Sequence, residues 1–382
     1  MIRIAKFFAL TLVFAGTSAA AQTAPPTSPP LAEPDIGDSY GGSLDTRLQA
    51  EFSRPAGGRS RATVFSDADL QLFYNRGNLS LNAELKLERT RRANLNSYYP
   101  DRNAAFRSEA VTLRQLYATY RVTDTLEFSA GKIHPKFGSA YSDMPGLFYN
   151  FATDYEQDER IGAGFAWRLG DLGPLHALVL SGETFYLDTS VLSATLPRGP
   201  AIGDPTADRA WRYTRGQFGP ANTGRLDSAT IALRGGHKGQ GLTWQASLTR
   251  EATADPAGAT EFGQSFSASY DPTGDGIPLT PRPTLTPFAE YAHFTNYAGI
   301  NGLERHYALA GAALGFRGWE LAASLGIRQS RGIAGGTDQQ QNLSLTYEII
   351  KDFKLGAGIN HVRINGRQSW TLAPAASYHM AF

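Results

Sequence analysis

The chain is 382 residues long and close to neutral, with 36 Lys and Arg against 35 Asp and Glu. That balance supplies no basic field for nucleic acid, and the absence of cysteine excludes disulfide staples. A mean hydropathy of −0.30 leaves no stretch beyond the N-terminus able to cross a bilayer as a helix, so a membrane protein of this composition must be a barrel, in which outward and inward residues alternate.

The first residues, "MIRIAKFFALTLVFAGTSAAAQ", combine Arg3 and Lys6, an apolar run over 7–15 and small residues at 19–21. This pattern predicts a secretory signal peptide over 1–21, since the run is shorter than the ~20 apolar residues of a membrane anchor. Residues 22–38 are rich in proline and predict an extended periplasmic leader. From 39 to 382 the chain alternates short period-two segments with turns, without a domain boundary.

Leu44, Leu48 and Phe52 alternate with Asp45, Arg47, Gln49 and Glu51, and Ala68, Leu70 and Leu72 alternate with Asp67, Asp69 and Gln71. "LSLNAELKLE" (79–88) repeats the pattern with five apolar residues on one face. A soluble sandwich shows such alternation too. The links decide between them: those at 89–107, 133–159 and 187–225 are long, and "RVTDT", "LGDLGP" and "GGHKGQG" between them are short. Further on, "FRGW" and "KDFK" are tight turns, with "SRGIAGGTD" and "INGRQS" on the other side. Such a rhythm is expected when every other turn faces the periplasm. The count is about sixteen antiparallel strands of roughly ten residues. Eighteen is the alternative, because 187–225 is long enough to hold a hairpin and "DPTGDGIPLTPRPT" is long for a periplasmic turn. Face assignment stays open at 176–179, 286–293 and 306–314, where neither face is cleanly apolar.

"RQLYATY" (114–120) followed by "GKIHPKFG" (131–138) resembles the stretch in Gram-negative porins of the phosphate-selective type, and in their alphaproteobacterial relatives, where a barrel strand turns into the constriction loop. The resemblance implies an outer-membrane porin, a passive water-filled channel for small hydrophilic solutes and ions. With the first strand rising from the periplasm, 133–159 is the third outer loop, which in trimeric porins folds into the lumen. Here it carries Phe137, Tyr141, Phe148, Tyr149 and Phe151, together with Asp143, Asp154, Glu156, Asp158 and Glu159, while Lys132, His134 and Lys136 stand at its start. A solvated outer loop is the alternative reading.

Period two places Arg47, Lys86, Arg121, Arg168 and Arg328 on lumen faces, interleaved with Glu84, Glu127 and Glu348. Arg47, Arg121 and Arg168 are expected to face the loop carboxylates across a gap and set up a transverse field, although each arginine alone reads equally as a local ion pair. No hydrolase constellation stands out among the seven histidines, and His379 beside Ser377 is the nearest approach. The Asp271–Asp275 run has Arg282 where a calcium loop needs Glu. No catalysis, cofactor or metal is expected.

The chain ends "ASYHMAF", with Trp370, Leu372, Ala376, Tyr378, Met380 and Phe382 on one face and Thr371, Ser377, His379 and Ala381 on the other. Tyr378, Met380 and Phe382 are similar to the terminal signature of Gram-negative outer-membrane barrels, which implies recognition by the barrel-assembly machinery. Expected partners are outer-membrane lipid and lipopolysaccharide, small solutes or ions and a second and third copy of the chain; nucleic acid is not among them. The alternative function is an exported barrel with an adhesive or structural role through its long outer loops.

Overall fold

The computed structural model describes residues 38–89, 104–105, 109–148, 151–172, 175–196, 213–215, 219–236, 241–271, 283–332 and 335–382. The expected signal peptide and nearly all of the expected leader, Tyr149 and the 272–282 stretch therefore lie outside the described residues. The strands are β1 (Ser39–Pro55), β2 (Arg61–Arg76), β3 (Leu79–Arg89), β4 (Ala104–Ala105), β5 (Glu109–Thr123), β6 (Leu126–Ile133), β7 (Arg160–Leu172), β8 (Leu175–Leu187) and β9 (Ser228–Gly235). They continue with β10 (Gly241–Glu251), β11 (Glu261–Asp271), β12 (Thr284–Thr295), β13 (Glu304–Phe316), β14 (Trp319–Arg331), β15 (Gly336–Ile350), β16 (Phe353–Ile364) and β17 (Arg367–Ala381).

Each wall strand pairs antiparallel with its neighbours, and β1 pairs with β17, Arg47 standing opposite Ser377. The two-residue β4 lies outside this ring of pairing and runs parallel to β2 at Thr63 and Val64. Sixteen strands thus close the barrel, as the sequence pattern predicts, and closure pairs the first strand with the last so that neither is a free edge. The links are short between β2 and β3, β5 and β6, β13 and β14, and β15 and β16. Tight turns there place positive φ at Arg317 and Gly318.

The two faces differ as a membrane barrel requires. Outward positions carry Leu242, Leu248, Phe266, Leu285, Trp370 and Leu372, all more than half exposed, whereas inward positions carry buried Thr230, Ser247, Ser265, Ser267, Gln340 and Asn342. No helix among the described residues is long and apolar enough to cross a membrane. The apolar outer belt does that work through strands. In β17 the outward row is Trp370, Leu372, Ala376, Tyr378 and Met380, and the Phe382 N–H donates to the Gly42 carbonyl at 3.0 Å.

The stretches whose faces the sequence leaves open have physical explanations. Phe288, Ala292 and Phe294 on β12 and Tyr307 and Leu309 on β13 point inward and are buried, so both faces of these strands are apolar for different reasons. Around 176–179, the β7–β8 pairing shifts register near Gly170 and Ala177 takes φ 50°.

Candidate functional site

The chain leaves the wall at Ile133. Pro135 biases His134 before it toward extended backbone, the Phe137 N–H then donates back to the Pro135 carbonyl at 3.0 Å, and two glycines permit the path. Gly131 has φ +137° and a Cβ there would lie 2.4 Å from the Leu116 carbonyl oxygen; Gly138 has φ +68° and a Cβ would crowd Glu290 and Tyr155 at 3.0 and 3.1 Å. The 131–138 motif is thus a wall exit whose first glycine answers to the β5 backbone and whose last answers to the Glu290 and Tyr155 side chains. Beyond it lie a one-turn α1 (Ala140–Asp143) and a 3-10 turn at Phe151–Asp154.

From Gly138 onward the segment packs on inward-facing side chains of the wall. Glu290 on β12 accepts from the backbone N–H of Ser139 at 2.5 Å and of Ala140 at 3.0 Å, and from the Tyr155 hydroxyl. The Gln245 amide donates to the Gly138 carbonyl at 3.0 Å, and the Gln157 amide donates to Thr249 at 2.8 Å and Glu251 at 2.7 Å. Phe137, Phe151 and Tyr155 join Phe294 and Tyr307 in one buried aromatic cluster, with the Phe137 and Phe294 rings 5.2 Å apart and the Tyr155 and Tyr307 rings 4.8 Å apart. Farther along, Pro145 and Phe148 lie against Gly311 and Gly358, where a Cβ would come within 2.9 and 2.8 Å.

The acids of the segment are all engaged at short range. Asp154 meets Arg328 at 2.6 Å and Arg305 at 3.9 Å, and Arg328 also holds Asp338 at 2.6 Å. Arg114 holds Glu156 at 2.8 Å and also Asp158. Lys86 donates to the Tyr141 hydroxyl at 2.8 Å and lies 3.9 Å from Asp69. Arg47 pairs with Asp67 at 2.5 Å and donates to the Leu147 carbonyl at 3.2 Å. Asp143 closes the one-turn helix and accepts from Ser142 at 3.3 Å. The expected opposition of Arg47, Arg121 and Arg168 to these carboxylates across a gap is therefore corrected: Arg114, Arg305 and Arg328 neutralise Asp154, Glu156 and Asp158 in direct contact.

Lys132 and Glu159 also need correction as lumen residues. Lys132 stands opposite Leu116 and Ile161 in the sheet, the outward row. Its ammonium is fully buried with Glu159 at 3.3 Å, Asp188 at 3.0 Å and the Leu192 carbonyl at 2.9 Å. The reason is the wall exit. β6 ends at Ile133 and leaves the upper part of β5 without a neighbour, and the chain after β8 covers the gap, with the Leu196 N–H donating to the Val111 carbonyl at 2.8 Å. A lysine beneath that cover must carry its counter-charges with it.

A second group of charges lines open space on the short-turn side. Arg121, Glu127, His134, Lys136, Glu183 and Arg234 surround it with Tyr117, Thr119, Ser129 and Ser181. Arg168 lies on the same inner face of β7, opposite Val179. Among the described residues neither the Lys136 ammonium nor the Arg234 guanidinium makes an ion pair. Burial, reinforced by Lys136, holds His134 down to about 3, so it is neutral at ordinary pH. Burial likewise depresses Lys136 to about 8, against the opposing pull of Glu183.

Sequence reasoning misses Arg114, Tyr155, Arg234, Glu290 and Arg305. For Arg114 a signal was present. Val111 and Leu113 set one parity while Leu116 and Ala118 set the other, and the step from 113 to 116 marks a β-bulge, seen as the register shift between Glu84 and Leu85 against β5. The extra residue lets Arg114 and Gln115 both reach the inner face.

No protein-family model matches the sequence, and no curated protein matches it. Solved structures do. OmpF of Salmonella typhi in complex with daunomycin superposes with a TM-score of 0.58 at 13% identity, over 90% of this chain and 98% of that one. The outer-membrane channel DcaP of Acinetobacter baumannii gives 0.54 at 12% identity over 90% and 98%. The anion-selective porin from Comamonas acidovorans gives 0.50 at 13% over 90% and 99%. At these identities the likeness is one of fold, and the neighbours are outer-membrane porins and channels.

Proposed function

We propose that the chain is a porin of a Gram-negative outer membrane, a water-filled channel for passive diffusion of small hydrophilic solutes and ions. One observation carries the reading. A closed barrel with a polar inner face has its 134–158 segment anchored across the lumen, on β1, β3 and β5 at one side and on β10 to β16 at the other, and the charged space bounded by Arg121, Lys136 and Arg234 remains on the short-turn side. A plug would fill that space; a segment that leaves it open narrows the lumen instead. Three cations against Glu127 and Glu183 favour small anions, in line with the anion selectivity of the Comamonas porin. The 131–138 turn supports the finer resemblance to porins of the phosphate-selective type.

On this reading residues 1–21 direct export, 22–38 form a periplasmic leader, and Tyr378, Met380 and Phe382 serve insertion by the assembly machinery. Association into trimers belongs to the same proposal. The test is single-channel recording of the purified full chain in planar bilayers. Stepwise ohmic currents are expected, and a barrel that inserts without conducting contradicts the proposal in favour of an adhesive or structural role.

A further inference from the structure

The outward face of the barrel is apolar along most of its height, but not at the long-link rim of β12 and β13. There His293 and His306 stand directly opposite each other in the sheet, with their rings stacked at 4.3 Å and 14°. Glu304 lies two residues from His306 and hence on the same face. One ligand atom from each of His293, Glu304 and His306 falls within 4.8 Å of the others.

The hydrogen bonding of the two rings is one-sided. His306 Nδ1 is 2.9 Å from the Tyr291 hydroxyl, and His293 Nδ1 is 3.3 Å from the Gln264 side-chain amide. Both Nε2 atoms are buried without a hydrogen-bond partner among the described residues, and His306 Nε2 faces the Glu304 carboxylate at 4.0 Å. An unsatisfied buried nitrogen is costly, and two in one place call for a common partner. Histidines that ligate a metal use one ring nitrogen while a neighbouring polar group orients the other. Tyr291 can accept from His306 Nδ1–H, and Gln264 can do the same for His293 with its amide oxygen turned inward. A set of two imidazoles and one carboxylate suits zinc or another borderline divalent ion, and offers too few oxygens for calcium or magnesium.

We propose that His293, His306 and Glu304 form a three-ligand site for a divalent transition metal, Zn2+ in the first instance, on the outer rim of the barrel. The site lies on the wall's outer surface, apart from the lumen, so it acts on the rim and leaves permeation unchanged. Tyr291 and Gln264 are its positioning residues. The fourth position is open to water or to an anionic group beside the rim. Arg331, opposite Glu304 in the sheet, moderates the local negative charge.

The test is calorimetric titration of the chelator-stripped, detergent-purified full chain with zinc chloride. One Zn2+ per chain is expected, with no comparable binding of Ca2+ or Mg2+. His293→Gln and His306→Gln should each abolish the transition, while Glu304→Gln and Tyr291→Phe should weaken affinity about 10- to 100-fold. Heat-modifiable migration on gels verifies that each variant remains a folded barrel. Failure of the wild type to bind zinc, equal binding of calcium, or an unchanged isotherm in the double histidine variant would each overturn the site.

Discussion

The two sides of the inner wall treat the 134–158 segment differently. Toward β12 and β13 it is held by an aromatic cluster and by Glu290, a carboxylate that gathers two backbone N–H donors and a phenol. Toward β3 and β5 it is held by cations, with Lys86 on Tyr141 and Arg114 on two carboxylates. The first contact is largely apolar, while the second is a network of hydrogen bonds and ion pairs. The contrast teaches that the acids of this segment act first as anchors, and that the electrostatics felt by a solute come from groups left out of those pairs, above all Lys136 and Arg234.

The sharpest way to break the charged side is Arg114→Met. It strands the largely buried Glu156 and the partly exposed Asp158 without their shared cation, and removing one partner of a buried pair costs about 3–5 kcal/mol. Urea unfolding in detergent micelles should show that loss, and a change below ~1 kcal/mol would mean that water already screens the pair. On the aromatic side, Tyr155→Phe keeps the ring contacts and deletes the hydroxyl donor to Glu290. The expected cost is about 1–3 kcal/mol, read in the same unfolding experiment.

Replacing Asp154, Glu156 and Asp158 together by their amides tests the anchor reading against a pure field effect. Loosening should raise open-channel current noise as well as shift selectivity toward anions, whereas a shift with quiet currents would assign these acids to the permeation field alone. The smallest effect expected is a pH dependence. Lys136 is pushed down to about 8 by burial, so its positive charge is present at neutral pH and lost as pH rises through that value. Anion preference should therefore decline between pH 7 and 9, measured as reversal potential under a salt gradient. The step should vanish in Lys136→Met, while persistence there would assign it to another group.

Much of this arrangement is legible in the sequence where period two runs unbroken. Arg47, Lys86, Glu127, Arg168 and Arg328 fall on inward faces because their strands carry clean alternation. Arg114 escapes because a bulge inserts one residue and reverses parity within β5. Glu290 and Tyr307 escape because the cluster under the 134–158 segment makes the inner face apolar too, erasing the contrast on which face assignment depends. Lys132 and Glu159 read as lumen charges because nothing local reports that β6 stops early and that residues after β8 fold over the gap. Pairing across 44 positions, as between Arg114 and Asp158, is a product of closure and has no local signature.

The most direct test uses the absence of cysteine from the chain, which makes single thiols specific reporters. Ser129 lines the charged space, whereas Ser344 faces inward on β15 but is buried near Gly146 of the packed segment, whose Cβ would lie 3.6 Å from its hydroxyl. Ser129→Cys and Ser344→Cys would each be recorded in a planar bilayer while a charged, water-soluble thiosulfonate is added. The permeation path proposed beside β5–β7 predicts a stepwise drop in single-channel conductance for Ser129→Cys and none for Ser344→Cys. A drop for Ser344→Cys with Ser129→Cys unaffected would place the path on the other side of the segment and contradict this account.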